Sequence, residues 1–97
     1  MTQQRYVNDS KGVLAILYSG EIERFLQESP GEDFRIIISN RPMYIEITTE
    51  DAIWRRLVEL TKTYAVWVFP TTMSSYQPWT GERGSYNHVE AIKFTKR

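Results

Sequence analysis

Val13-Leu14-Ala15-Ile16-Leu17-Tyr18, bounded by Gly12 before it and Ser19-Gly20 after it, is the stretch on which the fold turns. A continuous apolar run between glycines has the pattern of a strand buried on both faces. Read so, it opens the sheet. Residues 1 to 12, which are polar, carry Asn8-Asp9-Ser10 and show no periodicity, then become a flexible N-terminal arm, with 13 to 97 as a single α+β domain. The rival parse makes Ser10 to Glu28 one helix, which places Gly20 in its interior at a cost of about 1 kcal/mol.

Downstream of that run, Ser19 can cap a helix whose first turn holds Glu21 and Glu23, where the positive end of the helix dipole favours them, and Ile22, Phe25 and Leu26 share one face. Pro30-Gly31 stops it, and Phe34 to Ile38 follows as a β-branched strand. After the turn residues Ser39 to Pro42, Met43, Ile45 and Ile47 alternate with Tyr44, Glu46 and Thr48, which predicts a second strand of a hairpin. Thr48 or Thr49 then caps a helix carrying the stripe Ile53, Leu57, Leu60 and Tyr64. Ala65 to Phe69, ended by Pro70, and His88 to Thr95 read as two further strands. The expected architecture is a ferredoxin-like βαββαβ sandwich with an added C-terminal strand, and the alternative, if the first run is helical, is αββαββ. Either places the helices on one sheet face and leaves the other open.

Composition bounds the chemistry. Twelve basic and twelve acidic residues in a chain of 97 cancel, so no global field draws it to phosphate or anionic lipid. The charges are uneven along the chain: Glu21, Glu23, Glu28, Glu32 and Asp33 face only Arg24, whereas Arg83, Lys93, Lys96 and Arg97 outnumber Glu82 and Glu90. With no cysteine there is no disulfide, thiolate or Cys-metal chemistry, and a cytoplasmic setting is expected. No apolar run approaches the roughly 18 residues of a membrane span, and no signal-peptide pattern opens the sequence.

The segment from Thr71 to Tyr86 is the most unusual, setting Tyr76, Trp79 and Tyr86 among serines, glycines and Arg83. Tyr, Trp and Arg are typical anchors of protein interfaces, and the same aromatics could instead fold back over the sheet edge. With Tyr44, these residues form the expected partner-binding set. A nucleic-acid reading would use Arg83, Lys93, Lys96 and Arg97 on phosphates, although the segment Arg41 to Ile47 lacks the paired aromatics of the RNA-recognition-motif signature. His88 and Glu90 fall on one side of a predicted strand, but two groups are too few for a catalytic zinc, and the lone histidine leaves Ser74 and Ser75 without a general base. The acidic group around residues 21 to 33 is spread around its helix and reads as a solvated face. Arg55 with Glu59 is an ordinary helix-surface pair, and Trp54, beside the apolar stripe, is expected to widen the core.

Ile53-Trp54, Val66-Trp67-Val68 and the final strand resemble the second half of the small Cas2 proteins of CRISPR systems, which are ferredoxin-like dimers. The resemblance covers about half the chain. Members that cleave nucleic acid carry an acidic residue at the end of the first strand, where Ser19-Gly20 stand here, so no residue role carries over. The sequence as a whole predicts a non-enzymatic protein-binding module, an adaptor or stoichiometric inhibitor, with no cofactor or metal. Its expected partner is another protein, with dimerisation as a further expectation.

Overall fold

Asn8-Asp9-Ser10 decides what the apolar run leaves ambiguous. In a computed structural model, which describes residues 2–39, 47–70 and 89–97, Asp9 has extended backbone and its carboxylate accepts from the Gly12 N–H at 2.8 Å. This is helix N-cap geometry, and helix α1 runs Ser10–Leu17 with Ser10, Val13 and Leu17 buried along one stripe. The strand expected over residues 13 to 18 is therefore a helix. A short unbroken apolar run carries no periodicity of its own, so the cap upstream settles its conformation.

The expected N-terminal arm also contains an element, strand β1 (Gln3–Val7). It is an edge strand in which only Val7 is buried, which is why no hydrophobic alternation announced it. Gly20 follows α1 with φ of 82°, a left-handed conformation that breaks the rival single helix, and α2 runs Glu21–Glu28. Ser19 sits one residue before that cap, where its Oγ accepts from the Glu21 N–H at 3.0 Å. Gly31, at φ 86°, turns the chain into β2 (Asp33–Ile38). Residues 41–46, most of the strand expected next, lie outside the described residues, and Ile47 is already the first residue of α3 (Ile47–Thr61). That helix buries Ile53, Leu57 and Leu60 as read, while Tyr64, also buried, begins β3 (Tyr64–Pro70). The last strand, β4, spans Val89–Lys96.

The described residues form an α+β domain of a four-stranded mixed sheet and three helices. Their order, β-α-α-β-α-β-β, is compatible with a ferredoxin-like α+β fold; strand β1 and the helix at residues 10–17 depart from the expected βαββαβ order, and the strand expected at residues 43–48, which both that order and αββαββ include, lies largely outside the described residues. In the sheet the strands lie β1-β2-β4-β3, with β1 parallel to β2 and β4 antiparallel to both β2 and β3. A split β-α-β unit is present, built from β2, α3 and β3 with β4 between the two parallel strands. Register sets the layers. Phe34 lies opposite Phe94 and Ile36 opposite Ile92, and Val66 and Val68 lie opposite the same two residues of β4. These side chains share one face and meet Val13, Leu17, Ile22, Leu26, Ile53, Leu57 and Leu60 from the three helices in one core. Phe34 is packed edge-on by Phe25 at 6.0 Å and by Phe94 at 6.4 Å between ring centroids.

Phe94→Ala should destabilise the domain by about 3–5 kcal/mol, since the ring is fully buried, and Gly20→Ala by about 1–2 kcal/mol through its left-handed backbone. Urea unfolding measures both. A loss under about 1 kcal/mol for Phe94→Ala would contradict a core centred on this pair.

Candidate functional site: the sheet face away from the described helices

Because side chains alternate along a strand, the register that buries Phe34 and Ile36 turns Asp33, Arg35 and Ile37 to the other face. Ala65, Trp67 and Phe69 of β3, Ala91, Lys93 and Thr95 of β4, and Gln4 and Tyr6 of β1 join them. Two rows across the sheet have distinct chemistry. Tyr6, Ile37, Ala91 and Phe69 stand side by side and are apolar; Gln4, Arg35, Lys93 and Trp67 form the neighbouring row, which carries the cations. All three large aromatics are accessible, Tyr6 at 66%, Trp67 at 44% and Phe69 at 39% of full exposure. The ammonium of Lys93 lies 4.6 Å from the Trp67 ring centroid and 6.0 Å from that of Phe69. Arg35 approaches Asp33 only at 3.9 Å, and its Nε is buried without a hydrogen-bond partner, as is Asp33 Oδ1.

The helical side carries different electrostatics. Arg56 of α3 donates from Nε to the Leu17 carbonyl at 2.9 Å, from a terminal nitrogen to Glu23 at 2.8 Å and from the other to Glu59 at 3.0 Å. Its guanidinium also lies 4.9 Å from the ring centroid of Tyr18. One side chain thus joins all three helices, and Arg56, rather than Arg55, pairs with Glu59. The acidic stretch is correspondingly not a uniform solvated face: Glu23 is bound to Arg56, and Glu21 to Arg5 of β1. Arg5, Glu21, Arg24 and Glu28 line a shallow cleft of about 200 Å³ with Gln3 and Phe25. No three Asp, Glu or His side chains among the described residues converge as a metal site would need, and none of the described helices is long and apolar enough to cross a membrane.

Tyr44, Tyr76, Trp79, Arg83, Tyr86 and His88 lie outside the described residues. Of the C-terminal cations, Lys93 stands on the helix-free face, alternation puts Lys96 on the side of Phe94, and Arg97 donates to the Thr61 carbonyl at the end of α3, at 2.7 Å. They do not converge. Trp54, expected to widen the core, is 38% exposed, and Val58, one turn on, is 59% exposed; the described side chains that this helix buries are Ile53, Leu57 and Leu60. Sequence reading missed Tyr6, Trp67 and Phe69 as one surface. Their signal was present in the alternation of Val66 and Val68 with Trp67 and Phe69, which separates two faces of β3. The residue before Glu21, where the Cas2 resemblance would look for the end of a first strand, lies between two helices here.

Comparison with known protein families, with curated proteins and with solved structures gives no match for this chain.

Replacing Arg56 by Ala should cost about 2 kcal/mol, because it strands Glu23 and an end carbonyl of α1 without their charge-assisted donor. Arg56→Lys should recover little, since one ammonium cannot serve three acceptors set by a planar fork. Glu59→Ala, by contrast, should stay within about 0.5 kcal/mol. Equal, small effects in chemical denaturation would show that apolar packing alone holds the helices together.

Proposed function

We propose that this chain is a non-enzymatic protein-binding module that works through its helix-free sheet face, in the manner of an adaptor or stoichiometric inhibitor. The observation that carries the reading is the exposure of Tyr6, Trp67 and Phe69 on the face that no described helix covers. Aromatic rings offer large contact area at little entropic cost, and contiguous apolar surface ringed by polar groups marks interaction sites. The sheet covered on one side, with its split β-α-β unit, fits a variant of the ferredoxin-like sandwich. A cysteine-free composition suits a cytoplasmic setting.

The same aromatics and cations raise a nucleic-acid reading, since bases stack on sheet-borne rings. Charge argues for protein. Only Arg35 and Lys93 bring positive charge to the described part of the face. A phosphate track needs a line of cations, and Lys96 and Arg97 do not extend one.

Affinity capture from the native cell, quantified by mass spectrometry, tests the assignment with two surface variants. Tyr6→Ser/Phe69→Ser should lose a stoichiometric partner about tenfold or more, with an unchanged thermal midpoint. Trp54→Ser/Val58→Ser should retain it. The reverse pattern would move the site to α3, and indifference to both would reject the sheet face.

A further inference from the structure

We infer that the occupant of the helix-free face is an acidic, apolar protein segment, whose carboxylates meet Arg35 and Lys93 while its apolar side chains lie along the neighbouring row from Tyr6 to Phe69. The inference rests on the protein-binding reading and names the chemistry of the partner. Its main support is a like-charge pair. Arg35 and Lys93 are directly opposite each other on adjacent antiparallel strands, an arrangement that is destabilising in itself. The free chain compensates it poorly. Asp33 stands 3.9 Å from Arg35, whose Nε has no hydrogen-bond partner, and among the described residues Lys93 has aromatic rings but no ion pair. A carboxylate placed over this pair would give Lys93 an ion pair and give Arg35, whose side chain is 39% exposed although its Nε is buried, a closer one than Asp33 does, in charge-assisted form.

Geometry adds the second requirement. The cationic and apolar rows are two residues apart along each strand, about 7 Å. Four strands set each row's width at about 14 Å. A segment with acidic and apolar side chains on one side, spaced i, i+2 when extended or i, i+4 when helical, matches that separation. A second copy of this chain meets a charge penalty in the simplest stacking. Stacked face to face about a two-fold axis along the strands, the Arg35 of each copy would lie over the Lys93 of the other, adding cation to cation.

The probe is a phage-displayed library of random 12-residue peptides selected on the full chain, with enriched peptides resynthesised and measured by fluorescence anisotropy. Enriched sequences should combine Asp or Glu with apolar residues, and affinity should drop about tenfold or more in Arg35→Gln/Lys93→Gln and fall with added salt. Lys93→Met preserves the aliphatic cover on Trp67, so its loss of binding reports charge rather than packing. Selection on Arg35→Glu/Lys93→Glu should turn the preference to basic peptides. Peptides without acidic bias that still fail on Tyr6→Ser/Phe69→Ser would overturn the acidic partner and leave the binding face standing. Absence of enrichment, or peptides indifferent to every variant, would overturn both. Displacement of bound peptide by a 15-residue oligothymidine would assign the face to nucleic acid, and a dimer in sedimentation that Tyr6→Ser/Phe69→Ser dissolves would assign it to a second copy.

Discussion

The pairing of Phe34 with Phe94 is the constraint on which the rest of the structure depends. Side chains alternate with a period of two, so this one match fixes which residues of β2 and β4 enter the core and which leave it. A slip of one residue in β4 would carry Lys93 into a region lined by Phe25, Ile22 and Leu26, and would bring Phe94 out to solvent. Burying an unpaired ammonium costs several kcal/mol, and exposing a fully buried ring forfeits about 2–3 more. The composition of both faces of β2 and β4 follows from the register this penalty enforces.

Much of this was legible in the sequence where burial is strong and periodic. Ile53, Leu57 and Leu60 announced α3, and β2, β3 and β4 were found within a residue or two of their bounds. The failures have a common cause. The run from Val13 to Tyr18 is apolar on every side because Leu14 and Ile16 also pack against the core, so neither a helical nor a strand period shows through it. Its conformation was written in the capping carboxylate of Asp9, which also reads as turn chemistry. β1 was invisible for the opposite reason: an edge strand with one buried residue leaves no pattern to read. The candidate face was legible only in outline, since recognising that Tyr6 and Phe69 end the same row requires knowing that β2 and β4 lie between them, and long-range strand order is not a local property. Of the segments that drew most attention for function, residues 41–46 and 71–88 lie outside the described structure.

The two sides of the sheet divide the work of the molecule. On the helical side, opposite charges are paired, Arg56 with Glu23 and Glu59 and Arg5 with Glu21, although Glu23 Oε1 is buried without a partner, and apolar groups are buried; stability resides there. On the other side, rings stay in water and cations face one another, a combination that contributes little to folding.

The place of β4 has a bearing on biogenesis. It follows the other six described elements in chain order, yet it lies in the interior of the sheet, between β2 and β3. While the polypeptide emerges from the ribosome, β1, β2 and the first two helices can assemble early, but β3 has no described neighbour until residues 89–96 arrive. Until then two ladders of backbone donors and acceptors stay unsatisfied. Nascent chains of this kind display sticky strand borders for longer than those that zip up in sequence order. The arrival of β4 between two strands that precede it therefore closes both ladders at once.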